Sequence, residues 1–461
     1  MFEKITKRIS NFPISSSVRS VGVLVGGTAF AQALSVLILP LLTRLFSPAD
    51  FAILAVYAST LGVLSSIACL RLEIAIPIPE DDVEAVSLLV LALTAVLLIS
   101  GLTGIGVFLF PKEISSIIGQ PAFEGYLWLL PIGVLLAGLY AALQFWATRK
   151  KRFGIIAKTK LGQASWSAIT QIGLGWSGVA PIGLLLGHLI YSGAGVIGLG
   201  RQIWNECRHL LSALKPKQIV FALQRNTRFL TYSTPEALAN TGGIQIPVLL
   251  IASWAAGPEA GFLLLATRVM AAPIGLLGTS ISQVYLSRAP EEMRKGGLGD
   301  FTIKVICALI KAGVGPLLFA GAIAPLIFPI VFGAQWGKAG EFVTWMTPWF
   351  AMQFISSPVS MVLHILGHQR LALALQIFGL VLRIGFVVLA AKIAPDLIVE
   401  FYAVSGFLFY ALYFFAIARV ARVNMRGVKD IIFGSWLSVA AWAIVSFVVY
   451  ITLVSLWPLV A

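Results

Sequence analysis

Three cations stand where a membrane-spanning helix ordinarily carries none. Arg268 lies inside the apolar run from Gly257 to Arg288, and Lys311 and Arg383 lie inside two later runs. An arginine near the centre of such a helix costs about 2.5–3.5 kcal/mol to insert, so it usually faces a protein interior or a watered cavity and meets an anion there. Counted along a helix, all three fall in or near the middle third of their runs. The one carboxylate at comparable depth is Glu236, and one anion does not neutralise three cations. These residue types predict a shared cavity with surplus positive charge, suited to a phosphate or diphosphate. Arg268 and Arg383 would grip it bidentately and Lys311 would act as a point charge. The structural alternative pairs Glu236 with Arg268 and leaves Lys311 and Arg383 to snorkel or to bind carbonyls. Glu236 also reads as a carrier of a coupling ion, because burial favours the neutral carboxyl.

Other constellations carry less. Glu80, Asp81, Asp82 and Glu84 are a candidate metal cluster, but acids at this point are expected to cap the helix that follows. His364 and His368 share a helix face at i, i+4 and lack a third ligand nearby; no metal is expected. His188 reads as a hydrogen-bonded packing residue, and Gln32, Gln144, Gln163 and Gln171 are the polar candidates of the first half. Cys69, Cys207 and Cys307 are isolated, which argues against a disulfide framework or a zinc site. No G-x-x-x-x-G-K-[ST] and no G-x-S-x-G occurs, so ATP does not power the chain directly and no nucleophile elbow is present. No cofactor is expected.

Helices must position these side chains, and the composition supplies them. Of 461 residues 59% are hydrophobic and 11% are charged, with mean hydropathy +0.94. Soluble domains carry about 25% charged residues, so the chain reads as an integral membrane protein. The net charge of +14 falls in short clusters between apolar runs, which argues against a nucleic-acid partner. The runs are of helix-spanning length rather than short alternating strands. They predict an all-α polytopic membrane protein with about thirteen spans, near residues 21–43, 51–70, 85–109, 122–147, 155–176, 181–200, 229–252, 260–287, 301–328, 342–366, 371–394, 398–418 and 431–457. With the N-terminus in the cytoplasm, 26 of the 33 Lys and Arg residues fall on the inner side and 4 on the outer, as the positive-inside rule requires. Trp176, Trp254, Trp336 and Trp457 then fall at outer ends, as interfacial anchors.

The two halves look alike. Phe110-Pro111 and Trp128 to Pro131 recur as Phe328-Pro329 and Trp345 to Pro348, and Leu39-Pro40 recurs as Ile246-Pro247. Six spans per half make the repeats parallel, about an axis along the membrane normal. The expected organisation is a six-helix bundle over 1–200, a basic linker over 201–228 that lies along the lipid surface, a second six-helix bundle over 229–420, and an additional transmembrane helix over 421–461.

Ser47-Pro48-Ala49-Asp50-Phe51, the stretch Arg71-Leu72-Glu73-Ile74-Ala75-Ile76 through Pro79, Ala266-Thr267-Arg268-Val269 with Pro273, and Phe332-Gly333 through Trp336 followed by Ser357-Pro358 and Gly367-His368-Gln369 together resemble bacterial polysaccharide transporters. These are the lipid-linked oligosaccharide flippases of the multidrug/oligosaccharidyl-lipid/polysaccharide exporter superfamily. The resemblance implies two bundles around a central cationic cavity and alternating access. It implies transfer of an undecaprenyl-diphosphate-linked sugar unit from the cytoplasmic to the periplasmic leaflet of the bacterial inner membrane, with H+ or Na+ coupling. The expected partners are that lipid-linked oligosaccharide, membrane lipids and polysaccharide assembly proteins, and no enzymatic activity is expected. Thirteen spans depart from the family's usual twelve or fourteen. The alternatives are a multidrug or small-cation exporter of the same superfamily, which would want surplus buried carboxylates, and a polysaccharide polymerase or ligase, which would want acids on larger outer loops.

Overall fold

The computed structural model describes residues 16–255, 257–423 and 425–456. Lys4, Lys7, Arg8 and Trp457 lie outside the described residues. Among those described the regular structure is helical, with no strand.

In the first half α1 (Ser16–Leu37) continues past a break at Ile38 as α2 (Leu39–Leu45), followed by α3 (Pro48–Ile67), α4 (Asp82–Leu109), α5 (Leu129–Arg149), α6 (Phe153–Trp176) and α7 (Ile182–Gly193). The middle of the chain forms α8 (Val196–Ala213) and α9 (Pro216–Arg225). The second half contains α10 (Thr234–Trp254), α11 (Glu259–Pro273), α12 (Thr279–Arg294), α13 (Leu298–Leu309), α14 (Gly315–Phe332), α15 (Gly337–Ser356), α16 (Gln369–Ile393) and α17 (Ile398–Val420), and α18 (Met425–Leu456) follows. Among the described residues nine helical runs are individually long and apolar enough to cross a membrane, so the protein is a multi-pass membrane protein. The other expected spans are helical at α6, α11–α12, α15 and α18 but fall outside that measure.

Local chemistry sets the helix starts. Ser47 and Asp50 form a reciprocal capping box at α3: Ser47 Oγ accepts from Asp50 N at 3.2 Å, and Asp50 Oδ2 accepts from Ser47 N at 2.9 Å. Pro48 occupies the first turn, where no N–H is needed. Asp81 caps α4 by accepting from Val83 N and Glu84 N. Asp82 pairs with Arg149 at 2.9 Å and Lys150 at 2.8 Å, and Glu84 pairs with Arg225 at 3.1 Å. Asp81 thus caps the helix, as expected, and Asp82 and Glu84 tie it to basic neighbours.

The expected linker is helical. α8 prolongs α7 as one apolar run to Ser212, and α9 packs on α4. Arg225–Glu84 and Arg152–Glu206 ion pairs fasten both to the first half, while Trp204 and Phe221 remain exposed.

The halves meet where α3 packs against α10 and α11, with α1 against α11. α3 and α11 come so close that a Cβ at Gly261 would collide with the Pro48 carbonyl, so glycine is required there. Trp176 and Trp254 are exposed, as anchors should be. Trp336 is not an anchor. It is fully buried between the halves, edge-on to Phe51 at 4.8 Å and to Phe262 at 5.9 Å, and its Nε1 donates to Thr43 O at 3.1 Å. A buried indole N–H needs such an acceptor. Gln335 Nε2 also donates to Thr43 O, and Arg44 Nη2 donates to Ile330 O at 3.0 Å.

Candidate functional site

A cavity of about 240 Å³ opens between α1, α6, α7 and α11. α1 supplies Gln32 and Ser35, α6 supplies Ser167 and Gln171, α7 supplies His188 and Tyr191, and α11 supplies Arg268. The helical period explains the sets. Ser167 and Gln171 are four apart, and Gln32 and Ser35, like His188 and Tyr191, are three apart, so each pair shares a helix face. Arg268 closes the ring from the other half of the chain. Its charge acts on both His188 and Tyr191. Among the described residues no carboxylate pairs with it. A guanidinium with no carboxylate partner among the described residues, set among amides, hydroxyls and an imidazole, can hold an anion bearing polar substituents.

The three predicted cations do not share this hollow, and Arg268 alone lines it. Lys311 sits in a π-helical turn, Ile310–Val314, between α13 and α14. Its side chain is exposed, and its carbonyl accepts from Ser438 Oγ of α18 at 3.3 Å. The extra residue of a π turn rotates everything after it, so a helical projection of this span misplaces its faces.

Arg383 is buried inside the second half, 2% exposed. Its guanidinium stacks over Phe409 at 4.4 Å, flanked by Tyr410 at 5.7 Å and Trp349 at 5.9 Å. Its Nη1 donates to Gly243 O at 3.3 Å. That carbonyl lies four residues before Pro247, which has no N–H to offer it. The next carbonyl, Ile244 O, accepts from Tyr402 Oη at 3.3 Å. Arg383 therefore serves a proline-interrupted turn of α10, and the carbonyl-binding alternative describes it better than the ligand-binding expectation.

Glu236 does not pair with Arg268. It lies in the first turn of α10, within electrostatic reach of Tyr413 on α17. Of the glutamines, Gln32 and Gln171 line the cavity, and Gln163 is buried on α6 with both amide atoms unpartnered. Among the described residues no group of three or more His, Cys, Asp or Glu side chains converges as a metal site. The sequence reading missed His188 and Tyr191 as cavity residues. Their signal was present, since His188 is the one charge-capable residue of its span and Tyr191 follows one turn later.

The family model described as "Polysaccharide biosynthesis protein" matches residues 41–341, from α2 into α15. The chain belongs to that family. No curated protein matches it in sequence. Among solved structures the chain shares its fold with the lipid II flippase MurJ in an inward closed conformation, at 16% identity and a TM-score of 0.69 over 93% of this chain and 92% of that one. An inward-facing MATE multidrug resistance transporter of the MOP superfamily matches at 14% identity and a TM-score of 0.53, over 89% and 97%. A Vibrio cholerae MATE transporter matches at 12% and 0.54, over 90% and 100%. The fold is thus that of MOP-superfamily flippases and exporters.

Proposed function

We propose that this protein carries a prenyl-diphosphate-linked saccharide from the cytoplasmic to the outer leaflet of a bacterial inner membrane. Its N-terminus is cytoplasmic and its two halves alternate access to the cavity. The observation that carries the reading is Arg268, a cation in a membrane helix that lines a polar cavity with no carboxylate partner among the described residues. The diphosphate binds at Arg268, Gln32, Gln171 and Ser167 face the first sugar, and the prenyl tail stays in lipid. The family's tie to polysaccharide synthesis and the fold's likeness to a lipid II flippase support this class of substrate. A cation exporter would want a carboxylate in the lining, and the described lining has none.

The test is Arg268→Gln in a strain that depends on this protein. Surface polysaccharide is expected to be lost, and the lipid-linked unit to accumulate on the inner leaflet, while the variant inserts at normal level. Normal surface polysaccharide at normal expression would sink the reading.

A further inference from the structure

A diphosphate diester brings a negative charge on each phosphate, and the cavity offers one permanent positive charge. Lys311 and Arg383, which the sequence nominated for the balance, lie elsewhere. We propose, resting on the reading of this cavity as a diphosphate site, that the second positive charge is a proton: His188 takes one from water when the anion enters and gives it up when the anion leaves.

His188 is placed for this. It and Arg268 line the same cavity from opposite halves of the chain. Tyr57 of α3 meets its ring edge-on at 5.8 Å, and Tyr191, one turn along α7, stacks beside it at 6.4 Å. These are the titratable and charged groups that face it. From α6, Gln171 and Ser167 line the same cavity and do not titrate, and α5 lies against the end of α7 with Leu136 and Tyr140, whose hydroxyl bonds Thr159. Of the lining side-chain types, only imidazole has an ordinary pKa between about pH 5 and 8; that of tyrosine is near 10.

The sign of the link follows from charge. In the empty cavity burial, and then repulsion by Arg268, disfavour a second cation at the imidazole. An anion held by Arg268 attracts a proton to the free ring nitrogen. What the anion does to proton affinity, the proton does to anion affinity by the same factor. Because it leaves with the ligand, this proton balances charge inside the cavity and does not drive outward movement.

The experiment uses the full chain in nanodiscs, titrated calorimetrically with farnesyl-diphosphate-linked glucose. Both charges of that diester are fixed across the range from about pH 6 to about pH 8. Wild type is expected to bind more tightly as pH falls, approaching about tenfold per pH unit, with proton uptake visible as a dependence of the heat on buffer ionisation. His188→Gln is expected to bind with a flat pH profile and no uptake. Wild-type binding that is flat with pH, or an unchanged slope in His188→Gln, overturns the proposal and leaves the diphosphate site standing. Wild-type binding no tighter than that of Arg268→Gln overturns the site and the proposal with it. Should His188→Gln fail to fold, histidine NMR of the wild-type chain decides. One of the four imidazoles must titrate at higher pH with ligand than without, and four unmoved titrations overturn the proposal.

Discussion

Arginines of equal depth serve different ends here, and their neighbours decide which. Arg268 looks into a cavity, and Arg383 is walled by aromatic rings and spends a donor on the carbonyl that Pro247 strands. An unsatisfied buried carbonyl is costly, and so is the loss of a cation over a ring face. Arg383→Ala is therefore expected to destabilise the folded protein by on the order of 2 kcal/mol, read as a lower thermal midpoint in detergent. Arg383→Lys should recover little of this, because an ammonium lacks the planar face that stacks on Phe409. Ligand affinity in whatever fraction stays folded should be unchanged. If Arg383→Ala keeps the wild-type midpoint and loses ligand binding, the structural assignment is wrong.

At the scale of elements, the turn between α3 and α4 carries strain and a buried carboxyl. Leu70 and Arg71 take left-handed backbone angles, φ 52° and 58°, which side chains other than glycine rarely adopt. Glu73, in the short helix Leu72–Ala75 that follows, is 6% exposed, ion-paired with Arg71 at 3.5 Å, and has one carboxylate oxygen without a partner. Burial pushes its carboxyl above the usual range, and Arg71 only partly offsets this. In the unfolded chain the same group titrates near its ordinary value of about 4.3. Its stabilising contribution is full below that pH and declines as pH rises through the raised folded value. The thermal midpoint of wild type should thus fall behind that of Glu73→Gln as pH rises from the ordinary carboxylate range through the raised folded value. A gap between the two that stays constant with pH would count against a buried, protonated Glu73.

At the scale of the molecule, the contacts around Trp336 join the halves at the end where the sequence places the outer face. Thr43 O receives both Trp336 Nε1 and Gln335 Nε2, and Arg44 holds Ile330 O. The proposed alternating access requires this end to part. A cysteine pair, Thr43→Cys with Gln335→Cys, in a background freed of Cys69, Cys207 and Cys307, should stop transport when oxidised and release it when reduced. Undiminished transport by the fully cross-linked protein would exclude opening at this end.

Much was legible in the residues alone. Hydropathy and run length determine a multi-pass helical membrane protein, since those depend only on composition along the chain. The capping role of the acids before α4 was readable because their partners sit within a few positions. The depth of Arg268, Lys311 and Arg383 was also readable, because depth follows from counting along one helix. Which way each points was not. A π turn at Ile310–Val314 and the missing N–H of Pro247 reset the local geometry. The cavity itself joins Gln32 to Arg268 through four helices drawn from three separate stretches of the chain. Only tertiary packing could bring His188 beside Arg268, because that meeting depends on how whole helices lie against one another, and no periodicity along the chain encodes it.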